Sequence, residues 1–165
     1  SDLAKAEHEL RAGVEYTGAT PRMGKDASSA VLQTAATASL LHIISHSGVN
    51  GHGGYLALAD RDVSASEILA WRIRPQLAVL PTCASAATVR GEMWDSLASA
   101  FLAAGSKHVV ATLASVQDSV AAEFTELFYR EGGARDPVGA VTRAQRSMSR
   151  THSVTQWSAF VVAGP

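Results

Sequence analysis

The apolar residues of this chain follow two alternating patterns. Short, nearly continuous apolar runs are typical of strands buried on both faces, and they occur at residues 40–44, 77–80 and 108–113. Longer segments have apolar residues at helical spacing, and they occur at residues 25–38, 94–104, 118–130 and 137–150. This alternation predicts an α/β fold with a mostly parallel sheet and helices on both faces.

The segments between these runs supply the remaining elements. We expect a helix at 2–11, a short strand at 14–17, a small strand at 55–59 and a last strand at 157–162. Ser64 and Glu67 have the spacing of a capping box, which predicts the start of a helix. The glycine-rich residues 45–54 predict a loop directly after the first buried strand.

Composition narrows the class of protein. The 165 residues fit one domain, and 47% apolar residues suffice for a core. Lys plus Arg number 14 and Asp plus Glu number 15, so no basic excess indicates direct nucleic-acid binding. No apolar run reaches the ~18 residues of a membrane span, and the charged first residues do not resemble a signal peptide. We therefore expect a cytoplasmic protein with no membrane partner.

Three residues that could take part in catalysis or bind a substrate follow the three buried strands. His46 comes after residues 40–44, Cys83 after 77–80 and Asp118 after 108–113. Parallel strands end at one edge of the sheet, where ligands and chemistry collect in open α/β folds. A thiol needs a neighbouring imidazole because only the thiolate is a good nucleophile. If the two strands are neighbours, the sequence predicts a His46–Cys83 dyad. Cys83 is the only cysteine, which excludes an internal disulfide and a cysteine-based zinc site.

Each of these residues also has an ordinary structural interpretation. A free cysteine is often only packed in a core, and a histidine in a loop is usually only solvated. His52, in the same glycine-rich loop, is the rival to His46, whereas His42 lies inside a strand and is expected to be packed. Asp118 can be a helix cap or first-turn carboxylate instead of a charge in a specificity pocket.

The glycines of residues 45–54 have more than one interpretation. Gly48, Gly51, Gly53 and Gly54 allow close backbone approach and can supply N–H donors to an oxyanion. A phosphate cradle is the alternative, but the spacing is not G-x-G-x-x-G and no helix follows. A serine hydrolase is disfavoured because the chain has no G-x-S-x-G motif. Asp60 and Asp62, in the following turn, are expected to be solvated.

Several motifs in a fixed order resemble one protease family. Residues 41–48 (LHIISHSG) are similar to the strand and catalytic histidine "LHFATHG" of the CHAT proteases, and 77–83 (LAVLPTC) to "LVVLSAC", which ends in the nucleophile. Residues 56–60 (LALAD), 97–110 (LASAFLAAGSKHVV) and 115–118 (SVQD) match further motifs in the same order. The chain thus resembles the CHAT family of the caspase-like superfamily, clan CD, with separase, gingipain and clostripain.

The resemblance implies a caspase-like three-layer sandwich and a role for each site residue. His46 would be the general base, Cys83 the nucleophile that forms a thioester, and Asp118 the acid that favours Arg or Lys in the substrate. The N–H groups of Gly48 and Cys83 would form the oxyanion hole. Ser47 separates His46 from Gly48 where the family has His-Gly directly, so Ser47 is the other candidate donor. Ala114 also replaces the family's tryptophan.

The resemblance also implies a context for the domain. Residues 1–165 would be a peptidase domain and a fragment of a longer protein. The fragment would lack the family's first strand, and residues 14–17 would lie at a sheet edge beyond that missing strand. An activating sensor or repeat region, in cis or in trans, and a protein substrate of the gasdermin type in bacterial immunity or cell death are the implied partners. No metal or organic cofactor is needed by a thiol mechanism. The alternatives are an inactive caspase-like scaffold for protein interaction and a nucleotide-binding α/β domain.

Overall fold

A computed structural model describes residues 2–50, 53–81 and 96–165 of the chain. The helices are α1 (Asp2–Thr17), α2 (Ser29–Thr34), α3 (Ala65–Ala70), α4 (Leu97–Ala104), α5 (Asp118–Arg130), α6 (Pro137–Met148) and α7 (Val154–Trp157). The strands are β1 (Leu40–His42), β2 (Ser47–Asn50), β3 (Gly53–Ala57), β4 (Asp62–Ser64), β5 (Leu77–Leu80), β6 (His108–Thr112) and β7 (Phe160–Ala163).

The main sheet has the strand order β1-β5-β6-β7. β1, β5 and β6 are parallel, and β7 is antiparallel to β6. All four residues of β5 are buried, and they alternate between two separate cores: Leu77 and Val79 face one, Ala78 and Leu80 the other. The predicted mostly parallel sheet, buried on both faces, is confirmed.

Helices cover both faces of this sheet. Ile68 of α3 and Phe101 of α4 belong to the first core. Phe124 of α5 and Ala144 of α6 belong to the second, where Phe124 stacks on Phe160 with ring centroids 3.8 Å apart. α1 packs against α5 on that second side. The result is the predicted arrangement of three layers.

A second, antiparallel sheet follows the end of β1, and it corrects the loop predicted at residues 45–54. β2 pairs with β3, and β3 pairs with β4. The sequence concealed this hairpin because glycines remove the side-chain alternation from which a strand is recognised. Gly53, with a φ of 98°, adopts a backbone conformation that favours glycine where β3 begins.

The strand predicted at residues 14–17 is wrong, because α1 continues to Thr17. Val14 and Tyr16 suggest a strand, but the buried Ala12 and Glu9 belong to a helix face that packs on α5. Tertiary packing thus overrides local preference. The expectation that residues 14–17 lie at a sheet edge is therefore wrong as well. Among the described strands, β1 has a neighbour on one side only.

Other boundaries shift by smaller amounts. The helix predicted at 25–38 is reduced to α2, which starts where the Ser28 side chain accepts a hydrogen bond from Val31 N–H. The last strand starts at Phe160 because Val154–Trp157 forms a short helix. The capping box is confirmed, since Ser64 and Glu67 exchange hydrogen bonds. Hydrogen bonds from Ser64 N–H and then from Arg61 lower the pKa of Glu67.

Arg72 ends α3 in a left-handed conformation, with a φ of 53°. The N–H of Ile73 donates to the Ile68 carbonyl and that of Arg72 donates to the Leu69 carbonyl, which together form a Schellman motif. Glycine is preferred at this position because it has no Cβ to strain.

We therefore expect Arg72→Gly to stabilise the protein by about 0.5–1 kcal/mol, the relief of left-handed strain less the greater freedom of glycine in the unfolded chain. Urea denaturation measures the change. Arg74→Gly is the control, because no left-handed strain is relieved there and a loss of stability is expected. Equal destabilisation by both changes would contradict the prediction.

Candidate functional site

The strands that lead to His46 and Cys83 are direct neighbours. β1 and β5 are parallel with Leu40 opposite Leu77 and His42 opposite Val79, and Ile43 N–H donates to the Val79 carbonyl at 3.0 Å. A His46–Cys83 dyad is possible only if these strands are neighbours, and this adjacency is confirmed. The same offset in the sequence separates His46 from Cys83. Cys83 and His52 themselves lie outside the described residues.

The backbone of His46 is held by the hairpin that follows it. Its carbonyl accepts hydrogen bonds from Ala57 N–H at 2.9 Å and from the Ser45 hydroxyl at 3.2 Å. The residue itself is exposed. His46 therefore has a defined main chain and a side chain that a substrate can reach.

The hairpin also decides where the two candidate oxyanion donors point. Ala57 N–H donates to His46, and antiparallel residue pairs alternate between hydrogen-bonded and non-hydrogen-bonded. Gly48 and Tyr55 consequently form a hydrogen-bonded pair, and the Gly48 N–H is directed at the Tyr55 carbonyl. Ser47, opposite Leu56, is in a non-hydrogen-bonded pair, and its N–H is directed away from β3.

Gly48 is required by packing as well. A Cβ at this position would lie 2.7 Å from the Tyr55 hydroxyl oxygen and 2.9 Å from two ring carbons. The tyrosine ring thus covers the α-carbon of Gly48, and the absence of a side chain at Gly48 is explained by its cross-strand neighbour.

Asp118 follows β6, which ends at the same edge of the main sheet as β1 and β5. It is exposed and is the first residue of α5, whose N-cap is Gln117. Asp118 is thus a first-turn carboxylate, a position favoured by the helix dipole, and it is not the cap. Before it, Leu113 is 56% exposed while its N–H donates to the Ala159 carbonyl. The stretch between β6 and α5 therefore begins at an anchored backbone.

Asp60 has a structural role that the sequence did not indicate. It is exposed, as expected, but its carboxylate accepts hydrogen bonds from the Ser29 N–H at 2.8 Å and from the Ser29 hydroxyl at 2.6 Å. Both bonds lower the pKa of Asp60, the hydroxyl more than the N–H. The turn after β3 is thereby tied to the start of α2. Asp62 is exposed, as expected.

His42 is packed, as expected, but it also has a charged partner. Its Nε2 lies 3.0 Å from Oε1 of Glu9 in α1, with side chains 10% and 7% exposed. Thr125 Oγ1 donates to the same oxygen at 3.2 Å. Burial, and then the negative charge of Glu9, raise the pKa of the neighbouring Tyr129. Sequence analysis missed Glu9, because one acid on an amphipathic helix gives no signal of burial.

The family model of the CHAT domain matches residues 1–165, the whole chain. The chain belongs to the CHAT domain family. This family is associated with caspase-like cysteine peptidases, so the match agrees with the parallel sheet and its two neighbouring strand ends. No curated protein shows a significant match to this CHAT domain.

The described part of the CHAT domain has neither a membrane-spanning helix nor a cluster of metal-ligating side chains. None of its helices is long and apolar enough to cross a membrane. In the same ranges, no three His, Cys, Asp or Glu side chains converge as metal ligands would.

We expect Gly48→Ala to destabilise this CHAT domain by about 1 kcal/mol, because the new methyl group must displace the Tyr55 ring. In a Tyr55→Ala background the same change should cost much less, since the obstructing ring is gone. A double-mutant cycle by urea denaturation measures this coupling. Equal costs in the two backgrounds would show that the ring does not restrict position 48.

Proposed function

We propose that this CHAT domain is a cysteine endopeptidase that cleaves a protein partner with a His46–Cys83 dyad. The observation that carries the proposal is the parallel pairing of β1 with β5, since these adjacent strands lead in the same direction to His46 and to Cys83. Family membership supplies the reaction class. The exposure of His46 is also what a site open to a polypeptide substrate requires.

The reaction would proceed in two stages. His46 accepts the proton of the Cys83 thiol, and the thiolate attacks the carbonyl carbon of the scissile peptide bond. The tetrahedral intermediate then collapses: the C–N bond breaks, protonated His46 gives its proton to the leaving amine, and a thioester remains on Cys83. In the second stage His46 deprotonates a water molecule, which attacks the thioester and releases the acid product and the thiol.

The hairpin geometry bears on the oxyanion hole. A backbone N–H stabilises an oxyanion only if it is directed at the developing charge. The Gly48 N–H is directed at the Tyr55 carbonyl, whereas the Ser47 N–H is directed away from β3. This orientation argues against Gly48 as the donor that acts together with the N–H of Cys83, and Ser47 stays the other candidate. For Gly48 to serve, the β2–β3 pairing would have to open.

The remaining features of the proposed function rest on the family resemblance. A sensor region or partner, in cis or in trans, would switch the enzyme on in the cytoplasm. The substrate would be a protein such as a gasdermin-like pore former in a bacterial immunity or cell-death system. The thiol chemistry requires neither a metal nor an organic cofactor.

An inactive scaffold for protein interaction is the second candidate. The pairing of Gly48 with Tyr55 favours it, because one of the two candidate oxyanion donors is occupied within the hairpin. The two candidates differ in whether Cys83 depends chemically on His46.

The alkylation rate of Cys83 by iodoacetamide, measured against pH, separates the two candidates. In a dyad, the thiol pKa should lie well below its usual ~8.5 and should return toward that value in His46→Ala. The measurement needs no knowledge of the substrate. His108→Ala is the matched control, because His108 lies opposite Leu77 at the start of β5, whereas Cys83 follows the end of that strand, and its loss should leave the profile unchanged. A Cys83 alkylation profile that does not change in His46→Ala would support the inactive scaffold.

Asp118→Ala tests the proposed preference for basic residues. If the carboxylate binds Arg or Lys of the substrate, kcat/KM should fall for these substrates by one to two orders of magnitude, roughly the ~1.5–3 kcal/mol of a hydrogen bond to a charged group. Peptides with a neutral residue at the cleavage site should be cleaved as before. Asp118→Asn, which keeps the size of the side chain, should behave like the alanine variant. An unchanged ratio of basic to neutral cleavage would refute the assignment.

A further inference from the structure

A buried polar cluster joins three elements on the α5 side of the sheet. His42 is the last residue of β1, Glu9 comes from α1, and Thr125 and Tyr129 come from α5. The His42 and Tyr129 rings are 5.6 Å apart and tilted by 52°. The cluster lies outside the residues to which the proposed chemistry assigns a role.

Stability alone is a poor explanation for the Glu9–His42 pair. Burying two ionisable side chains carries a desolvation cost, and apolar residues of similar volume often stabilise a fold equally or better. The side chains of His42 and Glu9 are 10% and 7% exposed, whereas those of His8 and Glu126, a pair that links α1 to α5, are 55% and 38% exposed. What the buried pair provides in addition is a defined geometry between α1 and the end of β1.

The strand that the cluster holds is short and lies at the end of the described main sheet. β1 is three residues long, and among the described strands only β5 pairs with it. The hydrogen bond from Ile43 N–H to Val79 continues the pairing just past the strand. Only Ile43, Ile44 and Ser45 then separate His42 from His46, so a shift at His42 passes along a short backbone to His46.

We propose that Glu9 and His42 are positioning residues, which hold the end of β1 in place and thereby hold His46 in reach of Cys83. Thr125 completes the arrangement by donating to the Glu9 oxygen that faces His42. The inference rests on the proposed His46–Cys83 chemistry and extends it, because neither positioning residue touches the substrate.

The test uses the intact protein and replaces three residues of the polar cluster with apolar ones. The variant Glu9→Leu/His42→Leu/Thr125→Val removes the pair and the hydroxyl that would otherwise lose its acceptor. We expect its urea midpoint to stay at or above that of the wild type. The alkylation rate of Cys83 at pH 7 should nevertheless fall roughly 3- to 30-fold, toward that of His46→Ala, and its pH profile should shift toward the usual thiol pKa of ~8.5.

Three single variants, Glu9→Leu, Glu9→Gln and His8→Ala, make the result specific. Glu9→Gln keeps an acceptor for His42 and should restore most of the alkylation rate that Glu9→Leu loses. This comparison also decides the question if the triple variant does not fold. His8→Ala is the matched control, because it breaks the exposed contact with Glu126 between α1 and α5 and should leave the rate unchanged.

The outcomes distinguish the inference from the proposed function. If the alkylation profile of Cys83 is the same in the wild type and in His46→Ala, both the dyad and the positioning role are overturned. A thiol that depends on His46 but reacts normally in the stably folded triple variant would overturn the positioning role alone. Equal rates in Glu9→Leu and Glu9→Gln would do the same.

Discussion

The parallel pairing of β1 with β5 is the interaction on which the rest of the structure depends. It brings two segments distant in sequence into register, with Leu40 opposite Leu77 and His42 opposite Val79. The pairing is supported from both faces, because alternate residues of β5 belong to separate cores. Burial of this kind gives the strand a strong preference for one register, since a slip by one residue would exchange the two faces. The fixed register also fixes the relative positions of the two strand ends that lead to the candidate dyad.

The hairpin after His46 adds a second constraint. β2 and β3 hold the His46 carbonyl through Ala57 N–H, and they orient the amides of Ser47 and Gly48 in opposite directions. The tyrosine ring over Gly48 makes this pairing intolerant of a larger residue. The turn beyond β3 is tied in turn to α2 through Asp60 and Ser29. Backbone hydrogen bonds thus hold the main chain around His46, while the residue itself stays exposed.

The two sides of the sheet hold the site by different means. On the side of α3 and α4 the core is apolar, with Ile68 and Phe101 fully buried. On the side of α1 and α5 the hydrogen-bonded pair of His42 and Glu9 lies among aromatic and aliphatic residues, next to the end of β1. Apolar packing is non-directional, whereas a hydrogen bond between His42 and Glu9 specifies a distance and an angle. This difference is why we assign a positioning role to the polar cluster and none to the larger core.

The sequence by itself determined the layers and the order along the chain of the main-sheet strands and the longer helices that cover them. The apolar runs at 77–80 and 108–113 predicted β5 and β6, which are almost entirely buried. The helical pattern at 118–130 predicted both ends of α5. Periodicity and capping are local signals, and the capping box of Ser64 and Glu67 needed no tertiary context.

Only the tertiary structure decided the rest, because those features depend on partners distant in sequence. Residues 14–17 are helical because α1 packs on α5, although Val14 and Tyr16 favour a strand. The adjacency of β1 and β5, on which the site depends, was a condition that the sequence could state but not establish. The alternation at 55–59 predicted part of β3, but neither its partner β2 nor the burial of Glu9 beside His42 gave a local signal. A local pattern shows that a residue has a polar or an apolar neighbourhood, but the identity of its partner is set by how the layers pack.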